Sequence, residues 1–169
     1  ALMTDELEPH LEWLVAGKRD LEIQDFYQHE LLDGDWQSVA TKAKTLLGDY
    51  PGRVGIHGPF WGLNLGNPDP KLREVVKHRL GQGLDAAEEL GATHMVIHSP
   101  IEPWLHRHIA NSKKEKDYVM SLVADTLGKL TNKASAIGCV LVMENIMDLD
   151  PRLQLDLIKS VNSDFLKMS

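Results

Sequence analysis

Short apolar runs recur along this 169-residue chain, and each is separated from the next by an amphipathic stretch long enough for a helix. Adjacent parallel strands need long helical crossovers, so this alternation predicts an α/β fold built on a parallel sheet. The runs are Leu21-Glu22-Ile23-Gln24-Asp25-Phe26, Arg53-Val54-Gly55-Ile56-His57, Thr93-His94-Met95-Val96-Ile97-His98 and Cys139-Val140-Leu141-Val142-Met143-Glu144, with Phe165-Leu166-Lys167-Met168 beginning a fifth. All are rich in residues that suit a pleated, buried surface.

The intervening segments carry helix punctuation. Thr4 is placed to cap a helix over about Asp5–Ala16, and Asp35 precedes a stripe ending at Leu47-Gly48. Asp69-Pro70 and Asp150-Pro151 each set a capping carboxylate before a proline at the first helical position, and Gly91 and Gly138 stop two long apolar stripes; these are ordinary start and stop signals. Trp104, His106 and His108 fall in a stretch that reads as an irregular loop, followed by a helix marked from Tyr118 to Ile137. No linker interrupts the pattern, so residues 1–169 read as a single domain. A closed eight-stranded barrel takes about 250 residues. The chain supplies about five of the eight strand–helix units, starts without Met at position 1 and ends within an apolar run, so the expectation is an incomplete parallel (β/α) TIM barrel, truncated at both ends.

Three strands share one design: an apolar run meets a potential ligand at its carboxyl end, in Ile56-His57, Ile97-His98 and Met143-Glu144. In a parallel barrel those ends gather on the face that carries active sites. Two imidazoles and a carboxylate converging there suit a divalent ion such as zinc, manganese, cobalt or magnesium. A lone histidine at a strand end is more often a hydrogen-bonded structural residue; it is the repetition at intervals of 41 and 46 residues that argues for a shared site. His94 and His98 have the spacing of a helical zinc motif, but on a strand four residues span roughly 13 Å, so His94 is expected at the opposite end as a structural residue. Trp61 and Trp104 follow the histidine strands and are candidates to wall a sugar face, or to pack a lid without touching ligand. Ser99 and Asn145, directly after His98 and Glu144, are candidates for hydrogen bonds to substrate. Cys139 opens a buried strand and reads as core.

Lys plus Arg number 18 against 25 Asp plus Glu, a net charge of −7. A nucleic-acid binder usually needs a basic stripe, and the densest one here, Lys113-Lys114-Glu115-Lys116-Asp117, reads as a solvated helix start. No apolar run approaches the roughly 18 residues of a membrane span. The single cysteine and the lack of a recognisable export signal favour the cytoplasm.

His57-Gly58-Pro59-Phe60, the run from Gly91 to Ser99 and Val142-Met143-Glu144-Asn145 resemble, in order and spacing, the xylose-isomerase-like TIM-barrel superfamily. That group includes sugar-phosphate isomerase/epimerase-like proteins, ketose 3-epimerases, inositol-catabolism enzymes and endonuclease IV. The resemblance runs from about Leu21 to Ser169. It implies a divalent-metal-dependent sugar or sugar-phosphate isomerase or epimerase working through an enediolate, with Glu144 as ligand and acid/base and His57 and His98 as ligands. It also implies further aspartate, histidine and glutamate ligands on later strands, the first falling just after Ser169. The alternatives are an endonuclease-IV-like zinc phosphodiesterase and a catalytically silent sugar-binding barrel. The expected partner is a small sugar or sugar phosphate rather than nucleic acid, and a homo-oligomer stays open.

Overall fold

A computed structural model describes residues 1–169 and places five strands, β1 (Leu21–Ile23), β2 (Val54–His57), β3 (His94–His98), β4 (Val140–Glu144) and β5 (Leu166–Met168), in one sheet. They lie in sequence order and every neighbouring pair is parallel. Seven helices connect or precede them: α1 (Leu11–Ala16), α2 (His29–Leu32), α3 (Trp36–Leu47), α4 (Pro70–Leu90), α5 (Pro103–Ala110), α6 (Lys113–Ile137) and α7 (Pro151–Val161). The sheet is open, with β1 and β5 at its edges. Leu2 extends the β1 edge by one parallel bridge to Ile23.

Strand alternation divides the sheet into two unlike faces. Leu21, Ile23, Ile56, Met95, Ile97, Leu141, Met143 and Leu166 belong to the main buried core. Leu80, Leu84 and Ala87 of α4 and Leu127, Leu130 and Ala134 of α6 join that core from the helical layer. The residues of opposite parity form the other face: Glu22, Gly55, His57, His94, Val96, His98, Val140, Val142, Glu144 and Lys167 are in register on neighbouring strands. In a barrel that second face is the interior. It is the polar face here, and it holds both histidines and the glutamate singled out above.

The helix signals operate as read. Asp35, Asp69 and Asp150 accept backbone N–H groups at the starts of α3, α4 and α7, and Gly91 and Gly138 end α4 and α6 in the left-handed conformation at φ 73° and 72°.

Some local readings need correction. The helix expected over Asp5–Ala16 is two 3-10 turns, Thr4–Glu6 and Glu8–His10, before α1 starts at Leu11. Pro9 lacks the N–H for an α-helical bond, and its ring would press on the carbonyl of Asp5. Thr4 caps nothing; its N–H and hydroxyl both donate to buried Asp25, at 2.7 and 2.9 Å. The run expected as strand through Phe26 leaves the sheet after Ile23 and turns at Asp25–Tyr27. Trp104, His106 and His108 lie on α5, because Pro103 starts a helix whose Leu105 and Ile109, four apart, bury against Ile101 and Leu153. The long helix likewise starts earlier than Tyr118, at Lys113 with Ser112 as cap. Its basic start is an ion-paired helix face: Lys113 pairs with Asp117, and Lys116 with Asp156 at 2.7 Å. No helix is long and apolar enough to cross a membrane.

Candidate metal centre

His57 ends β2 and is 7% exposed, under the loop that follows its own strand. Its Nδ1 lies 2.8 Å from the Gly58 carbonyl oxygen. A carbonyl only accepts, so Nδ1 carries a proton, and in the neutral ring this places the lone pair on Nε2. The Gly58 N–H donates to the Val96 carbonyl at 2.9 Å, which continues the β2–β3 ladder past the histidine and fixes its backbone. On the other side the Ser99 N–H donates to the Glu144 carbonyl at 3.0 Å, extending the β3–β4 ladder past the other two candidates.

His98 is in register with Glu144, while His57 is in register with Val96, two residues back. The sheet's stagger brings the three side chains together nonetheless. The two Nε2 atoms are 3.2 Å apart, and a Glu144 carboxylate oxygen lies 3.9 Å from that of His57 and 3.8 Å from that of His98. One ligand atom from each residue lies within 4.8 Å of the other two. Ligands about 2.0–2.2 Å from a tetrahedral zinc are about 3.3–3.6 Å apart. The three separations bracket those edges, so the donor set fits a divalent ion with two nitrogens and one oxygen. Burial, then the neighbouring His57, holds the His98 imidazole below its usual pKa, against the opposing pull of Glu144. A neutral ring keeps the lone pair a metal requires.

His94, at the other end of β3, stays out of this group. Its Nδ1 is 3.0 Å from the Thr93 hydroxyl, and its ring occupies the space left by Gly55, where a Cβ would lie 2.2 Å from Nε2. Cys139 is fully buried, and that burial pushes its thiol up to about 12.

A cleft of about 400 Å³ opens beside the cluster, with Phe60, Trp61, His98, Ser99, Ile101 and Met147 among its walls. Trp61 lines it and is 74% exposed. Trp104 stands outside the lining, its indole N–H donating at 2.7 Å to Glu102, which does line it. Ser99 lines the cleft, but its hydroxyl donates to Asp148 at 2.7 Å and accepts the Ile101 N–H at 3.2 Å. Asn145, outside the lining, accepts the Asp148 N–H at 3.1 Å.

Asp148 is not among the candidates read from the sequence, and Phe60 enters there only as part of the motif after His57, with no role of its own. Asp148 ties the loop after β3 to the loop after β4. Burial pushes its carboxyl up, against the lowering effect of the Ser99 hydroxyl, and its second oxygen is buried without a partner. Ser99→Ala should therefore lower stability at neutral pH by about 1–3 kcal/mol, the range for stripping a donor from a buried acceptor. The loss should shrink as falling pH protonates Asp148 through its raised folded-state pKa, because the neutral acid depends less on that donor. Denaturant melts of both proteins at neutral and acid pH check this.

A profile of the xylose isomerase-like TIM barrel family matches residues 15–168. The chain belongs to that family. No curated protein matches the chain at a significant level. Among solved structures, it is similar to the TTHB071 protein from Thermus thermophilus, soaked with ZnCl2, at 25% identity and a TM-score of 0.73 over 99% of this chain and 63% of that one. It is also similar to D-psicose 3-epimerase with D-tagatose from Clostridium cellulolyticum, at 18% identity and a TM-score of 0.70 over 96% of this chain and 57% of that one. The IOLI protein with a bound zinc atom shares 16% identity and a TM-score of 0.65, over 96% and 56% of the two chains. The last two likenesses show the shared fold alone. The chain spans less than two thirds of each of these structures.

Proposed function

We propose that the whole protein is a divalent-metal-dependent isomerase or epimerase of a sugar or sugar phosphate. The observation that carries this reading is the meeting of His57, His98 and Glu144 donor atoms within 4.8 Å at the edge of an aromatic-walled cleft. The sugar epimerases among the structural neighbours support it, as do the two neighbours whose descriptions name zinc. His57 and His98 would hold the ion through Nε2, and Glu144 through its carboxylate. A divalent cation held there supplies Lewis acidity, which makes a hydrogen next to a substrate carbonyl easier to remove. Glu144, with its side chain 41% exposed, is accessible to take that proton from carbon. Returning it to the adjoining carbon would give isomerisation, whereas epimerisation at the same carbon requires a second acid on the opposite face of the substrate. Trp61 offers an apolar ring to the C–H face of a sugar.

The cleft lining includes Glu102 and neither lysine nor arginine. With the net charge of −7, this favours a small polyol over a nucleic-acid backbone as the group contacted by this chain. The test is to incubate the metal-loaded full-length protein with a panel of ketoses and ketose phosphates, and separately with a duplex containing an abasic site. Interconversion of a ketose with no cleavage of the duplex is expected. Cleavage of the duplex without action on any ketose would replace this reading with the phosphodiesterase one. Saturable sugar binding without turnover would leave a binding barrel.

A further inference from the structure

The two histidines of the centre are held in different ways. His57 has the partner common for a metal-binding imidazole, a carbonyl on the nitrogen away from the metal side, and that hydrogen bond fixes both tautomer and ring plane. The polar contacts of the His98 side chain, 3.2 Å to His57 and 3.8 Å to Glu144, both run through Nε2, and its Nδ1 bonds no group of the chain. A terminal imidazole torsion is broad and roughly two-fold when nothing restrains it. The restraint on His98 is instead a ring face: Phe60 stacks on it with centroids 4.3 Å apart and planes 29° from parallel. The same Phe60 meets His57 edge-on at 4.9 Å and 62°.

Phe60 is itself held. It rests against Tyr27 at 5.4 Å and Trp61 at 4.9 Å. Buried Pro59 precedes it and limits the backbone, and its own carbonyl accepts the Leu63 N–H at 3.1 Å in the following turn. The chain thus sets a fixed aromatic plate over one face of the His98 imidazole, where the other histidine has a hydrogen bond.

We infer that Phe60 is a positioning residue for the metal centre, setting the ring plane of His98 so that its Nε2 meets the ion together with His57 and Glu144. This rests on the metal-site reading above and goes further, giving a residue with no ligand atom a defined effect on affinity. An aromatic contact of this kind corresponds to roughly a three- to tenfold change in equilibrium. Loss of the ring should weaken ion binding by about that factor, while a tyrosine, which keeps the ring, should restore it.

The experiment is zinc titration of the full-length protein against a chromophoric chelator, for wild type, Phe60→Leu, Phe60→Met, Phe60→Tyr and His98→Ala, with thermal melts to confirm folding. Alongside it, the ring-proton NMR resonances of His98 are followed in the metal-free wild type and Phe60 variants. Zinc affinity is expected to fall roughly three- to tenfold in whichever aliphatic variant folds and to stay near wild type in Phe60→Tyr. The His98 protons should be shifted upfield by the ring current in wild type and Phe60→Tyr, and lose that shift in the aliphatic variants. Wild-type zinc affinity in a folded aliphatic variant would overturn the inference and leave the metal site standing. Zinc binding that survives His98→Ala, or none in wild type, would overturn the metal-site reading and this role with it.

Discussion

Glu144→Gln in the full-length protein is expected to lower turnover by about 10²–10⁴-fold, the range supplied by a positioned acid/base, while the fold remains intact. The amide has the carboxylate's shape. Glu144 makes no side-chain hydrogen bond that the core relies on, and its nearest polar neighbours are the two imidazoles at 3.8 and 3.9 Å. What the amide lacks is negative charge, which a divalent ion bound by two neutral imidazoles needs close by, and basicity, without which no proton leaves carbon. Steady-state kinetics at saturating metal, beside a thermal melt, separates these losses from unfolding. Near-normal turnover in the glutamine variant would assign Glu144 a structural role at the end of β4.

Leu141→Ala is expected to cost about 2–5 kcal/mol, the range for removing a large aliphatic side chain from a packed core. Leu141 is fully buried in β4, between Met95 on β3 and Leu166 on β5, and it faces the helical layer. Leu127, Leu130, Ala134 and Leu157 of that layer belong to the same core, and their backbones are fixed by regular helices, so the site can collapse only partly. Val142→Ala, on the opposite face of the strand, should cost less in the 1–169 chain, because a smaller side chain is removed and that face of the open sheet is only partly buried. Urea unfolding of the two variants gives both values. A Val142 variant less stable than the Leu141 variant would show that the helical face is not the one that dominates stability.

Much of the fold was legible because helix ends here are marked by residues with one physical job. Asp69 before Pro70 and Asp150 before Pro151 leave little room for another reading, and Gly91 and Gly138 occupy the left-handed stop positions. The same holds for the candidate ligands: a histidine or glutamate closing an apolar run at a strand's carboxyl end identifies both depth and face. Other features carry weak local signals. Pro9 is the visible objection to a single long first helix, while the leucine spacing around it points the other way. The pair Leu105 and Ile109 is too short a stripe to stand out, although Pro103 before it is a start signal. The offset of His57 from the His98–Glu144 level depends on sheet stagger, which no single strand encodes. The plate formed by Phe60, and the tie between Ser99 and Asp148, join loops far apart in sequence and become visible only in three dimensions.

The central claim is that one ion sits among His57, His98 and Glu144. Anomalous diffraction at the zinc edge, from crystals of the full-length protein soaked in zinc, tests it most directly. The expected result is a single strong peak about 2.0–2.2 Å from the Nε2 atoms of both histidines and a carboxylate oxygen of Glu144. No peak between these three residues, with zinc bound at other side chains, would contradict it.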